Sequence, residues 1–175
     1  LHGGGNTSVK TRMSDGVGGD AEVLCVKGSG WDMADIEPPG LPAVRMEPLL
    51  KLRSLKVLSD EDMVREVKRC MLDGSGPTPS IETLLHAFLP HAFIDHSHAN
   101  AILAISNRDN GEELCRELYG DRVIYLPWIM PGFPLAKAVA DALARWRTWC
   151  VASWQMKLWI FFAFNHTGEQ RCSSG

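Results

Sequence analysis

The residue types with the clearest chemical potential are two histidines one position apart, His96 and His98, in the run Phe93-Ile94-Asp95-His96-Ser97-His98-Ala99-Asn100. The β-branched and aromatic residues before them read as a strand, and a strand sends residues i and i+2 to the same face. Both imidazoles can therefore reach one metal ion. Imidazole suits zinc and other divalent transition metals, and a catalytic zinc usually keeps three protein ligands with one position open. A lone His-x-His is more often a pair of ordinary surface or core histidines. What surrounds it decides.

Upstream, Pro79-Ser80-Ile81-Glu82-Thr83-Leu84-Leu85-His86 reads as a helix start with Ser80 as N-cap and Glu82 in the first turn. A carboxylate there is stabilised by the helix dipole, which suffices as a structural explanation. The strand follows soon after, however, so Glu82 can also lie close to the metal. Two turns add hydrogen-bond donors: Gly3-Gly4-Gly5-Asn6-Thr7-Ser8 near the N-terminus and Lys27-Gly28-Ser29-Gly30 after the strand-like Glu22–Val26. Glycine lets backbone approach an oxyanion, while amides and hydroxyls donate to it. Neither turn is a Walker loop or a dinucleotide fingerprint. Together with His96, His98 and Glu82 they suggest a metal beside a phosphate or carboxylate pocket.

At this point the chain resembles the class II aldolase/adducin family, most of all the aldolase domain of bifunctional rhamnulose-1-phosphate aldolase/short-chain dehydrogenase proteins. The likeness rests on LHGGGNTSVK at 1–10, VKGSGWDM at 26–33, SIETLLHAFLPHAFIDHSHANA at 80–101, YGDRV at 119–123 and PGFPLAKAVADAL at 131–143. It implies that His96 and His98 bind zinc, that Glu82 is the catalytic acid/base, and that Asn6, Ser29, Gly30 and Ser80 bind the substrate phosphate. Thr7 and Gly28 join that set by adjacency. It further implies a small phosphorylated sugar as partner, a homotetramer with sites near subunit interfaces, and cleavage of a ketose 1-phosphate to dihydroxyacetone phosphate and an aldehyde. A pentulose-phosphate 4-epimerase and a non-catalytic, adducin-head-like assembly module are the alternatives.

The resemblance fails in one place. The family pattern calls for a third zinc-binding histidine in a Lys-His-Gly type sequence on a late strand, and Met156-Lys157-Leu158-Trp159 puts Leu158 there. An aliphatic chain cannot replace a nitrogen donor. His166 offers an imidazole several residues later if the strand register is shifted. Four tryptophans, Trp146, Trp149, Trp154 and Trp159, crowd the same stretch. We therefore expect one aldolase-like domain over 1–175, a fragment of a longer protein with an atypical tail at 146–175.

Bulk properties agree with a cytoplasmic enzyme. The chain has 175 residues, 45% of them hydrophobic, and a net charge of −3, enough for one sizeable core and without a basic run that would favour nucleic acid. Its five cysteines are widely spaced with no C-x-x-C, as expected of reduced thiols. Leu158–Phe164 is apolar but too short to span a bilayer, so no membrane partner is expected.

The elements that must position the chemistry alternate. Strands are expected at 22–26, 92–97 and 122–126, and helices at 47–56, from about 60, and at 80–89, 99–106, 111–118 and 134–146. Helices between strands argue for a layered α/β domain. The family likeness refines this to three α/β/α layers with a mixed, largely antiparallel sheet. Strand alternation turns Asp95 away from His96, while His86 and His91 are either partners of the site or ordinary helix-face and loop residues.

Overall fold

The computed structural model describes residues 5–145 and, as backbone, the strands at 150–153 and 160–164. Seven strands form one sheet: β1 (Asn6–Ser14), β2 (Asp20–Val26), β3 (Ala43–Arg45), β4 (Phe93–Ser97), β5 (Val123–Leu126), β6 (Cys150–Ser153) and β7 (Ile160–Phe164). Their order is β3-β2-β1-β4-β7-β6-β5. Neighbours run antiparallel except β5 and β6, which are parallel. Six helices accompany it: α1 (Met46–Leu52), α2 (Asp60–Arg69), α3 (Thr83–Phe88), α4 (Asn100–Ser106), α5 (Gly111–Tyr119) and α6 (Phe133–Arg145). This is the layered α/β class with a mixed, largely antiparallel sheet that the sequence implied. No described helix is long and apolar enough to cross a membrane.

The core follows from alternation along the strands. Residues paired directly across antiparallel strands share a face. Ser8 faces both Val26 and Ile94, and Lys10 faces Leu24, which in turn faces Val44. Leu24, Val26, Val44 and Ile94 are fully buried under Leu49 of α1, Met63 and Val67 of α2, Leu84 and Leu85 of α3, and Phe133 and Val139 of α6. Thus α1, α2, α3 and α6 cover one face of the sheet. Helices α4 and α5 pack on each other, and α5 also meets β5.

Several boundaries differ from expectation. Strand β1 was not anticipated, because its inward positions Asn6, Ser8 and Lys10 are polar and leave no hydrophobic alternation to read. Helix α1 stops at Leu52 rather than Lys56. Helix α3 begins at Thr83, so Ser80 is not its N-cap and Glu82 occupies that place without a side-chain cap bond. The Ser80 hydroxyl donates to the Glu82 carboxylate while its oxygen accepts from the Glu82 amide (3.3 Å). Helix α2 does begin as its sequence suggests, with Ser59 accepting from the Asp62 amide and three acidic residues in the first turn.

Candidate active site

Beyond the apolar part of this sheet face the same strands carry polar residues. Asn6 of β1 pairs directly with His96 of β4, and both are about 2% exposed. Gly5 holds φ +90°, and a Cβ there would meet the His96 carbonyl oxygen at 2.5 Å. Only glycine allows β1 to enter so close to β4. Gly5 thus serves strand contact and also lines the cavity described below.

A second set of backbone bonds brings the other half of the site. The Lys27 amide donates to the Thr7 carbonyl (3.1 Å), the Ser29 amide to the Thr78 carbonyl (2.8 Å) and the Ser80 amide to the Lys27 carbonyl (3.1 Å). These bonds stitch the turn after β2 to the segment leading into α3. A cavity of about 240 Å³ opens between the two halves, lined by Gly5, Asn6, Lys27, Gly28, Ser29, Ser80, Ile81, Glu82, His96 and His98.

Within it, Asn6, Ser80 and Glu82 form a tight network. The Asn6 amide nitrogen donates to Ser80 Oγ (2.9 Å) and to Glu82 Oε2. The Ser80 hydroxyl donates to the same carboxylate oxygen (2.6 Å). Burial raises the Glu82 carboxyl above its ordinary range, partly opposed by the bonds from Ser80 and Asn6 and by the nearby charge of Lys27. A carboxyl shifted upward toward neutrality is suited to carrying a proton in both directions.

The imidazoles of His96 and His98 lie side by side, ring centroids 4.8 Å apart and tilted by 52°. Burial pushes the His96 ring down to about 2, and the neighbouring His98, His86 and Lys27 lower it further. Burial also lowers His98. Both rings are therefore neutral at physiological pH, the form that ligates metal. Two neutral, adjacent imidazoles fit a divalent transition metal as part of its ligand set. Among the described residues no group of three His, Cys, Asp or Glu could hold an ion. Both candidates for the third donor position, Leu158 and His166, lie outside the described residues, as do the clustered tryptophans.

The structure brings together most of the residues singled out from sequence: Asn6, Gly28, Ser29, Ser80, Glu82, His96 and His98 all line the cavity. Thr7 and Gly30 do not. Alternation carries Thr7 to the opposite sheet face, where its hydroxyl donates to Asp95 (2.6 Å), and Gly30 sits just beyond the lining in an exposed turn at φ +90°. His86 and His91 lie away from the lining and are buried, with Ser8 Oγ and His86 Nδ1 sharing a 2.7 Å hydrogen bond. Sequence reasoning passed over Lys27. Its signal was a cationic side chain opening a glycine–serine turn at a strand end.

Comparison with known proteins agrees with this fold. The family described as Class II Aldolase and Adducin N-terminal domain matches residues 1–153. The N-terminal class II aldolase domain of a conserved protein from Thermoplasma acidophilum is similar in structure, with a TM-score of 0.85 and 40% identity, over 96% of this chain and 76% of that one. An L-fuculose-1-phosphate aldolase from Thermus thermophilus shares the fold at TM-score 0.51 and 18% identity, over 91% of this chain and 68% of that one. The uncharacterized oxidoreductase YuxG of Bacillus subtilis is 42% identical over 143 residues, which are 82% of this chain and 21% of that protein. This chain thus spans about a fifth of that curated relative. The protein belongs to the class II aldolase/adducin family.

Proposed function

We propose that the cavity cleaves a carbon–carbon bond in a phosphorylated ketose, rhamnulose 1-phosphate being the first candidate, to give dihydroxyacetone phosphate and an aldehyde. The observation that carries this reading is the convergence of Glu82 and the His96–His98 pair on one cavity, from segments far apart in sequence. Retro-aldol cleavage needs a group that relieves the charge of the departing enolate carbon and a group that moves protons.

His96 and His98 would hold a divalent transition metal, zinc in the first instance, with a third donor beyond the described residues. Such an ion would supply Lewis-acid polarisation of a hydroxy-ketone. Glu82 takes the proton from the hydroxyl at the bond being broken, or returns one to the carbon left behind. Its upward shift suits both directions. Asn6 and Ser80 hold that carboxylate in place, fixing the distance over which the proton moves. Tetrameric assembly, with neighbouring subunits closing the cavity over the sugar end, is part of the same reading.

The oxidoreductase of YuxG's name is said of a protein about five times the matched length, so it does not redirect the reading of this domain. The test is purified protein assayed for metal content and for aldehyde release from rhamnulose 1-phosphate and fuculose 1-phosphate. Stoichiometric metal with cleavage of either supports the proposal. Interconversion of pentulose phosphates without cleavage would assign the epimerase, and a metal-free, inactive oligomer the assembly module.

A further inference from the structure

Three inward residues of β1 grip one side of the segment that carries Glu82. Asn6 donates to the Glu82 carboxylate, Ser8 Oγ and His86 Nδ1 share a 2.7 Å hydrogen bond, and the Lys10 ammonium donates to the Leu89 carbonyl. On the strand these are positions i, i+2 and i+4; on α3 and its two caps they are i, i+4 and i+7, one side of a helix. The spacings match. Two strand residues rise about 6.7 Å and four helical residues about 6 Å, so β1 and α3 run side by side with their polar groups in register.

That register needs a cause, because α3 has little of its own to hold it. It is six residues long, all of them buried, and so short a helix does not form unaided. Its apolar contacts, from Leu84, Leu85, Ala87 and Phe88, are non-directional and tolerate a slide along the sheet. A hydrogen bond between two buried groups does not. Ser8 is 4% exposed and His86 0%, and any slide that parts them leaves both away from water without each other. Burial drives the His86 ring down to about 3, so the ring stays neutral and the contact keeps its character across the physiological pH range. The His86 amide also donates to the Glu82 carbonyl (3.1 Å), which ties the ring's place to the carboxylate one turn earlier.

We propose that Ser8 and His86 are positioning residues for Glu82: their bond fixes α3 on β1 and so sets the place from which the carboxylate moves its proton. The inference rests on the reading of Glu82 as the proton-moving group and extends it to two residues that do not line the cavity.

The experiment compares the full wild-type chain with Ser8→Ala, His86→Leu, Ser8→Thr, His86→Asn and, as a control for core loss three strands from β4, Ile124→Ala. Circular dichroism establishes folding, and Ser8→Ala, the milder change, carries the test if His86→Leu does not fold. The first readout is the Asn6 side-chain amide in 1H–15N spectra, assigned by its loss in Asn6→Ala. A carboxylate acceptor displaces that signal. It should move toward ordinary solvated asparagine in Ser8→Ala and His86→Leu, return in Ser8→Thr and His86→Asn, and stay in place in Ile124→Ala. The second readout is turnover of the ketose phosphate: kcat should fall roughly tenfold or more in the first pair with KM within about twofold, and recover in the second. An Asn6 signal and kcat unchanged in folded Ser8→Ala overturn the inference, as does an equal shift in Ile124→Ala. If wild type cleaves neither substrate, the aldolase reading fails and the amide signal alone decides this inference.

Discussion

Two pairs of histidines lie within one stretch of this chain and meet opposite fates. His96 and His98 line a cavity beside a carboxylate, whereas His86 and His91 are buried near Ser8 and Lys10, away from it. Burial lowers all four rings, His86 to about 3. Perturbed basicity therefore does not separate a cavity-lining histidine from a packed one; access to a shared open space does.

The sharpest break of that contrast is removal of either cavity ring. His96→Ala and His98→Ala should each abolish stoichiometric zinc binding in elemental analysis, while His86→Ala leaves metal content nearly unchanged. Full occupancy in the double His96/His98 variant would end the metal proposal. Close behind comes the carboxylate: Glu82→Gln should retain metal and lower turnover by roughly 10²–10⁴-fold. Wild-type turnover in that variant would reduce Glu82 to a structural acceptor for Asn6 and Ser80.

The third donor is the next comparison. Strand β7 begins opposite Ser97 and ends opposite Phe93, so its start lies at the His-x-His end of β4. We expect Leu158→His with Trp159→Gly to tighten zinc binding by at least about tenfold, because it completes the usual set of three protein ligands. His166→Ala in that background should change nothing. Tight binding in the unmodified chain that is lost on His166→Ala reverses the assignment.

Smaller effects test the buried pair. His86→Ala should cost roughly 2–4 kcal/mol in denaturant unfolding, from the emptied core volume and the bond lost at Ser8. Lys10 gives a pH signature. Burial lowers its amine from 10.5 to about 8, so between those values the unfolded chain binds more protons than the folded one, and stability rises with pH. The penalty is fully present below pH 8 and relieved toward 10.5. Lys10→Met should remove that alkaline rise, worth on the order of 2 kcal/mol, and an unchanged slope would mean the amine is solvated. Smallest of all, Thr7→Val should leave phosphate binding and turnover within about twofold, since its hydroxyl serves Asp95 on the exposed face.

Much of the site was legible because its chemistry sits in short runs. Strand periodicity places His96 inward and rightly sent Asp95 outward, and His98 joins His96 one residue past the end of β4. What periodicity could not show was β1. Its inward residues are polar because each bonds a partner inside the fold, Asn6 to Glu82, Ser8 to His86 and Lys10 to the Leu89 carbonyl, and that demand erased the pattern that identifies a strand. Ser80 misled for a related reason: a serine before a helix looks like a cap, but a buried carboxylate two residues on is the stronger acceptor. Backbone amides in a glycine turn look available in sequence, yet those of Gly28 and Ser29 donate to carbonyls within the protein. Which carbonyls consume them depends on Gly40 and Thr78, far away along the chain.

The central position of β1 also sets when the protein can work. Asn6 reaches a carboxylate 76 positions later, and β1 joins β2 to β4. Closing so long a loop carries a large entropy cost that only the assembled sheet repays, so such pairing belongs to slow, late folding steps. The cavity should therefore be among the last features to form as the chain emerges and folds. Ligand affinity at this pocket would then report completion of the whole sheet, making a simple phosphate or metal titration a readout of folding yield.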